Sequence, residues 1–72
     1  MSDRLYQIKY LNAVAIDWID GKPKGRKYHA IKNNATYQAA FIKMIMEKFP
    51  ACTHVNFYNK ETGKFAERIY TT

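Results

Sequence analysis

One cysteine, two prolines and three glycines in 72 residues leave this chain almost without staples, helix breakers or loose hinges. The lone Cys52 has no partner within the sequence, which excludes an internal disulfide framework and a thiolate metal cluster. It suits a reducing compartment, and a cytoplasmic location is expected. No apolar run approaches the roughly 20 residues that cross a bilayer. The start Met1-Ser2-Asp3-Arg4 carries no apolar leader region, so neither secretion nor membrane insertion is expected.

Catalytic material is equally sparse. There are two histidines, His29 and His54, and six dispersed acids. Cys52 and His54, two apart, would share a face of a strand, but no third residue is placed to orient the imidazole as a nucleophile–base pair requires. Two ligands also fall short of the four that a closed zinc site takes. Gly21 and Gly25 belong to a hairpin turn and not to a phosphate loop between a strand and a helix. The sequence therefore predicts no enzyme, no metal and no cofactor.

What is present is apolar and basic. Hydrophobic residues make up 47% of the chain, with six Tyr, four Phe and one Trp. That is enough to pack a single domain over residues 1–72, although a chain this short buries only about 60% of its unfolded surface. Twelve bases face six acids, for a net charge of +6. A balance of this kind favours nucleic acid or an acidic protein surface as partner.

The apolar period changes from two to about 3.6 and back. Leu5 to Leu11 alternate, with Tyr6, Ile8 and Tyr10 on one face. Asn12 is placed to break or bulge this strand. Val14, Ile16 and Trp18 then share a face in Ala13 to Ile19, which is a second strand or the continuation of one long bent strand. Asp20-Gly21 is the strongest short hairpin signal, with Pro23 and Gly25 extending the loop. A strand over Arg26 to Ile31 follows. Asn34 or Thr36 can cap a helix from Ala35 to Phe49, whose inner face is Tyr37, Phe41, Met44, Ile45 and Phe49 and which Pro50 ends. Thr53 to Tyr58 and Lys64 to Tyr70 alternate again around a turn at Gly63. The expected fold is α+β, one helix on a mainly antiparallel sheet in the order β-β-β-α-β-β, or with the first two strands as one.

Five of the twelve bases lie in the acid-free stretch Lys22 to Lys32. If the hairpin projects, Lys22, Lys24, Arg26 and Lys27 present cations near its tip, with Lys32 behind them for further phosphate contact. A two-stranded ribbon can enter a major groove, and only Arg26 has the planar fork that reads a guanine edge. Tyr28 would supply stacking. The competing explanation is a loop that is basic only for solubility. A second surface is expected on the C-terminal hairpin, where His54, Asn56 and Tyr58 face away from Val55 and Phe57 and could join Arg68 and Tyr70 in a platform for unpaired bases or a protein partner.

The element order to residue 49, with Asp20-Gly21-Lys22-Pro23-Lys24-Gly25-Arg26-Lys27 at its turn, resembles the small DNA-binding domains at the N-termini of tyrosine-type integrases. That resemblance implies a three-stranded sheet laid on duplex DNA and braced by a helix; the terminal hairpin departs from it. The sequence thus predicts a basic nucleic-acid-binding module, with duplex DNA favoured over RNA. The alternative is a protein-binding inhibitor or adaptor, of the kind a virus or mobile element uses against a host complex. Its support is the surplus apolar arc at Ile42 and Met46, a candidate partner or homodimer seam.

Overall fold

The computed structural model describes residues 7–71. Strand β1 (Tyr10–Ile19) and strand β2 (Lys22–Lys32) precede helix α1 (Ala35–Lys48), and strands β3 (Cys52–Asn59) and β4 (Phe65–Tyr70) follow it. All pairings are antiparallel, in the order β2-β1-β3-β4, with α1 packed on one face. The expected α+β class and element order are present. Among the described residues no helix is long and apolar enough to cross a membrane.

Among the described residues there is one strand ahead of the hairpin, the second of the two arrangements expected. Leu5 and Tyr6 lie outside the described residues, and Gln7 to Lys9 stand outside the sheet. The irregularity expected at Asn12 is a register shift: two steps of β1, Leu11 to Ala13, face three steps of β2, Ile31 to Tyr28. The surplus residue of β2 lies in this bulge, where Ala30 takes φ 59°. A left-handed alanine costs on the order of 1–2 kcal/mol.

Asp20 and Gly21, at φ 53° and 74°, form the two-residue hairpin turn. Both positive angles match the twist of the flanking strands. Pro23 and Gly25 extend no loop; they belong to β2. β2 is an edge strand, so the missing N–H of proline need not break a ladder. Gly25 has a steric role, because a Cβ there would stand 3.2 Å from Val14 Cγ1 and 3.8 Å from Ile16 Cδ1.

The core lies between α1 and the sheet. Leu11, Ala13 and Ala15 of β1 alternate inward and are fully buried, opposite Asn59, Phe57 and Val55 of β3. The two alanines leave room on the central strand for Phe41 and Ile45, the buried helix residues. Phe41 meets Tyr28 and Phe57 edge-on, at centroid distances of 5.0 and 6.1 Å. Asn34 caps the helix by accepting from Thr36 N at 2.8 Å. Met44 and Phe49 pack beside this core, but Tyr37 does not. It is exposed at the first turn, with Lys32 Nζ 5.1 Å from its ring centroid.

Candidate nucleic-acid interface

A basic run that is a strand cannot put all its charges on one side. Successive residues of β2 point to opposite faces, so the register divides the stretch. Lys24, Arg26 and Tyr28 stand opposite Asp17, Ala15 and Ala13 on the helix side, whereas Pro23, Gly25 and Lys27 stand opposite Trp18, Ile16 and Val14 on the open side.

Arg26 and Tyr28 are built into the fold. Arg26 Nε donates to Asp17 Oδ2 at 3.0 Å, and its guanidinium lies 3.9 Å from the Phe49 ring centroid. Tyr28 packs on Phe41. Neither holds the free position that guanine reading or base stacking requires. Lys32 sits over Tyr37, on the approach to α1. Lys22 and Lys24 flank the hairpin, which runs only two residues past the β3 pairing: β1 pairs with β2 out to Ile19 and with β3 as far as Asp17, and Trp18 N still donates to Ala51 O at 3.0 Å. Lys22 and Lys24 thus flank a tip that also bears the exposed Trp18.

The C-terminal set is brought together on the open face. His54 stands opposite Tyr70 and Asn56 opposite Arg68. The His54 and Tyr70 rings are 5.6 Å apart, and Arg68 Nε donates to Asn56 Oδ1 at 2.8 Å. Tyr58 meets Phe65 edge-on at 5.9 Å, because a register shift between Phe57 and Tyr58 passes over Ala66. Burial and the neighbouring Arg68 charge hold the His54 pKa below the ordinary histidine value, so its ring is neutral at pH 7.

Sequence reasoning missed Trp18 and Phe65, which are 56% and 51% exposed. The signal was available in the shared face of Val14, Ile16 and Trp18. On the central strand Val14, Ile16 and Trp18 face the open side, while Leu11, Ala13, Ala15 and Asp17 face the helix. Both faces of this strand thus carry apolar side chains, and a wide apolar-aromatic surface on a small domain marks a contact site.

The face is also one-signed. Of the strand carboxylates, Asp17 is buried on the helix side and Glu67 stands opposite the buried Phe57. Lys27 and Arg68 lie on the open side, so no strand carboxylate among the described residues offsets them. Partners that combine negative charge with flat rings complement such a surface.

Cys52 and His54 do not form a reactive pair. β3 spends an extra residue, Thr53, where the register shifts between Ile16 and Asp17. That step turns Cys52 to the buried side and leaves His54 on the open side. Cys52 Sγ donates to the backbone oxygen of His54 at 3.4 Å and never meets its ring. Burial, and then the Asp17 charge, push the thiol pKa up, against thiolate formation.

On the other side of the molecule, Ile42 packs partly against the core, but β4 does not close over Met46, which is 46% exposed. A groove of about 590 Å³ remains between α1 and β4, lined by Ala39, Ile42, Met46 and Ile69 among others.

No protein-family model matches this sequence, and neither a curated protein nor a solved structure matches it.

Proposed function

We propose that this chain is a non-enzymatic, cytoplasmic nucleic-acid-binding module that lays an unpaired strand across its open sheet face. The observation that carries the reading is the gathering of Trp18, His54, Tyr58, Phe65 and Tyr70 on that face with Lys27 and Arg68. Aromatic rings accept the flat faces of successive bases without regard to sequence, and the cations neutralise the intervening phosphates. Lys22 and Lys24, opposite Ile19 and Asp17, stand on the helix side of the hairpin and lie off this track. Unpaired strands are preferred because bases inside a duplex are already stacked on one another and cannot meet these rings.

Fluorescence anisotropy of labelled single strands and duplexes tests the reading. With Lys27 and Arg68 engaged, log K against log salt falls with a slope of roughly −1.4 for single strands, at −0.7 per phosphate. A complex that ignores salt, or that forms equally well after Trp18 and Tyr70 are both changed to Ala, would sink it.

The basic hairpin end supports a second reading, in which Lys22 and Lys24 clamp the phosphates of duplex DNA. Changing both to Glu then abolishes duplex binding while single-strand binding only weakens. The groove beside Met46 supports the alternative of a protein-binding adaptor or inhibitor acting on a host complex, or of a homodimer. Met46→Lys would disrupt either and leave nucleic-acid binding intact.

A further inference from the structure

Building on the open face as a nucleic-acid surface, we propose that the hollow beside the β1–β2 bulge is a subsite for one unpaired nucleotide, with its phosphate on Lys27 and His29 and its base against Tyr58 and Asn12. The hollow measures about 240 Å³, and its lining includes Asn12, Val14, Lys27, His29, Tyr58 and Gly63. Pockets that enclose drug-sized ligands run from roughly 300 to 1,000 Å³. This one is the size of a single base with part of its sugar.

The bulge creates it. The surplus residue in β2 and the left-handed Ala30 displace the edge strand locally, next to the pairing of Asn12 with Tyr58. Bulges beside binding sites re-aim side chains in this way. Asn12 reaches across, its Oδ1 accepting from Ala30 N at 3.5 Å. Its Nδ2 is left to donate to a ring nitrogen or carbonyl of a base.

The remaining groups divide the nucleotide between them. Lys27 has no ion-pair partner among the described residues, the one salt bridge there being that of Arg26 with Asp17. His29 is exposed beside it. Lys27 therefore supplies a cation and His29 a ring N–H donor, on an edge with no carboxylate in the lining. Tyr58 is fixed by its edge contact with Phe65, so its ring is ordered before a base arrives. Ordering in advance lowers the entropy lost on binding.

The test is a ¹⁵N–¹H NMR titration of the whole chain with five probes: inorganic phosphate, adenosine and uridine 5′-monophosphates, a ten-nucleotide single strand, and the same strand as a duplex. The single strand is expected to shift the amides of Asn12, Lys27, His29, Tyr58 and Gly63 together with those of Trp18 and Tyr70. The monophosphates shift only the first group, and phosphate alone only Lys27 and His29. Lys27→Glu on the exposed edge should weaken single-strand binding about tenfold, the loss of one charge-assisted contact. Asn12→Asp keeps an acceptor for Ala30 N while removing the donor, and should weaken monophosphate binding with the fold intact.

Single-strand binding that moves Trp18 and Tyr70 but leaves the hollow's amides still would overturn the subsite and spare the open-face reading. Absence of any single-strand binding at low salt defeats both. Saturable shifts with monophosphates but none with the strand would overturn the placement of a strand here, in favour of a free nucleotide.

Discussion

Replacing Arg26 with Met should destabilise the fold far more than it affects any ligand. Asp17 is 1% exposed, and its single charged partner is Arg26 at 3.0 Å; its second oxygen, Oδ1, is buried with no hydrogen bond. Removing one member of a fully buried pair costs about 3–5 kcal/mol, because the remaining charge stays desolvated. The Arg26 side chain is 34% exposed, so water screens part of that interaction and the figure has to be reduced. Loss of the guanidinium stack on Phe49 adds back about 0.5–1 kcal/mol. A net loss of about 2–3 kcal/mol results. A domain of this size holds on the order of 4–10 kcal/mol in all, and each kcal/mol moves Tm by about 4–8 °C. Calorimetry and urea unfolding should therefore show Arg26→Met melting roughly 10–20 °C below the parent. The double variant Asp17→Leu with Arg26→Met, which replaces the pair by apolar groups, should recover most of the loss. A single variant within about 0.5 kcal/mol of the parent, or a double variant less stable than the single, would refute the argument that this pair holds β1, β2 and Phe49 together.

Two further outcomes follow from the backbone and from titration. Ala30→Gly removes the Cβ that penalises φ 59° and should raise the unfolding free energy measured in urea by up to about 1 kcal/mol, after subtracting the greater freedom of glycine in the unfolded chain; a lower value would mean that the alanine methyl makes a contact worth more than the strain. The folded His54 pKa is depressed by burial and by Arg68, so below the ordinary value of about 6.5 the unfolded chain binds the proton more readily. Stability should be level above that pH and fall as pH drops through the folded value, and His54→Gln should remove that part of the slope in pH-dependent unfolding.

The change of period from two to 3.6 and back placed α1 and the last two strands almost to the residue, because burial against one core enforces both periods. Asp20-Gly21 marked the turn for the same local reason. The bulges were harder. Asn12 flagged a break, but nothing in the composition said that β2 would absorb the extra residue at Ala30, or that Thr53 would part Cys52 from His54, since register is settled by tertiary pairing. Pro23 and Gly25 suggested a loop because their propensities ignore edge position and the space above Val14. That error made the basic stretch look like one patch, when a strand divides it between two faces. The His54, Asn56, Tyr58, Arg68 and Tyr70 platform was legible, because simple alternation within one hairpin sets it.

Trp18, the chain's single tryptophan, reports directly from the open face. Titrating the protein with a ten-nucleotide single strand at low salt, while following its fluorescence, tests the central claim most directly. Saturable quenching is expected, with an affinity that falls by about five- to a hundredfold in Tyr70→Ala, the loss of one stacked base at roughly 1–3 kcal/mol. Binding detected by anisotropy that leaves Trp18 emission unchanged and is indifferent to Tyr70→Ala would contradict the account.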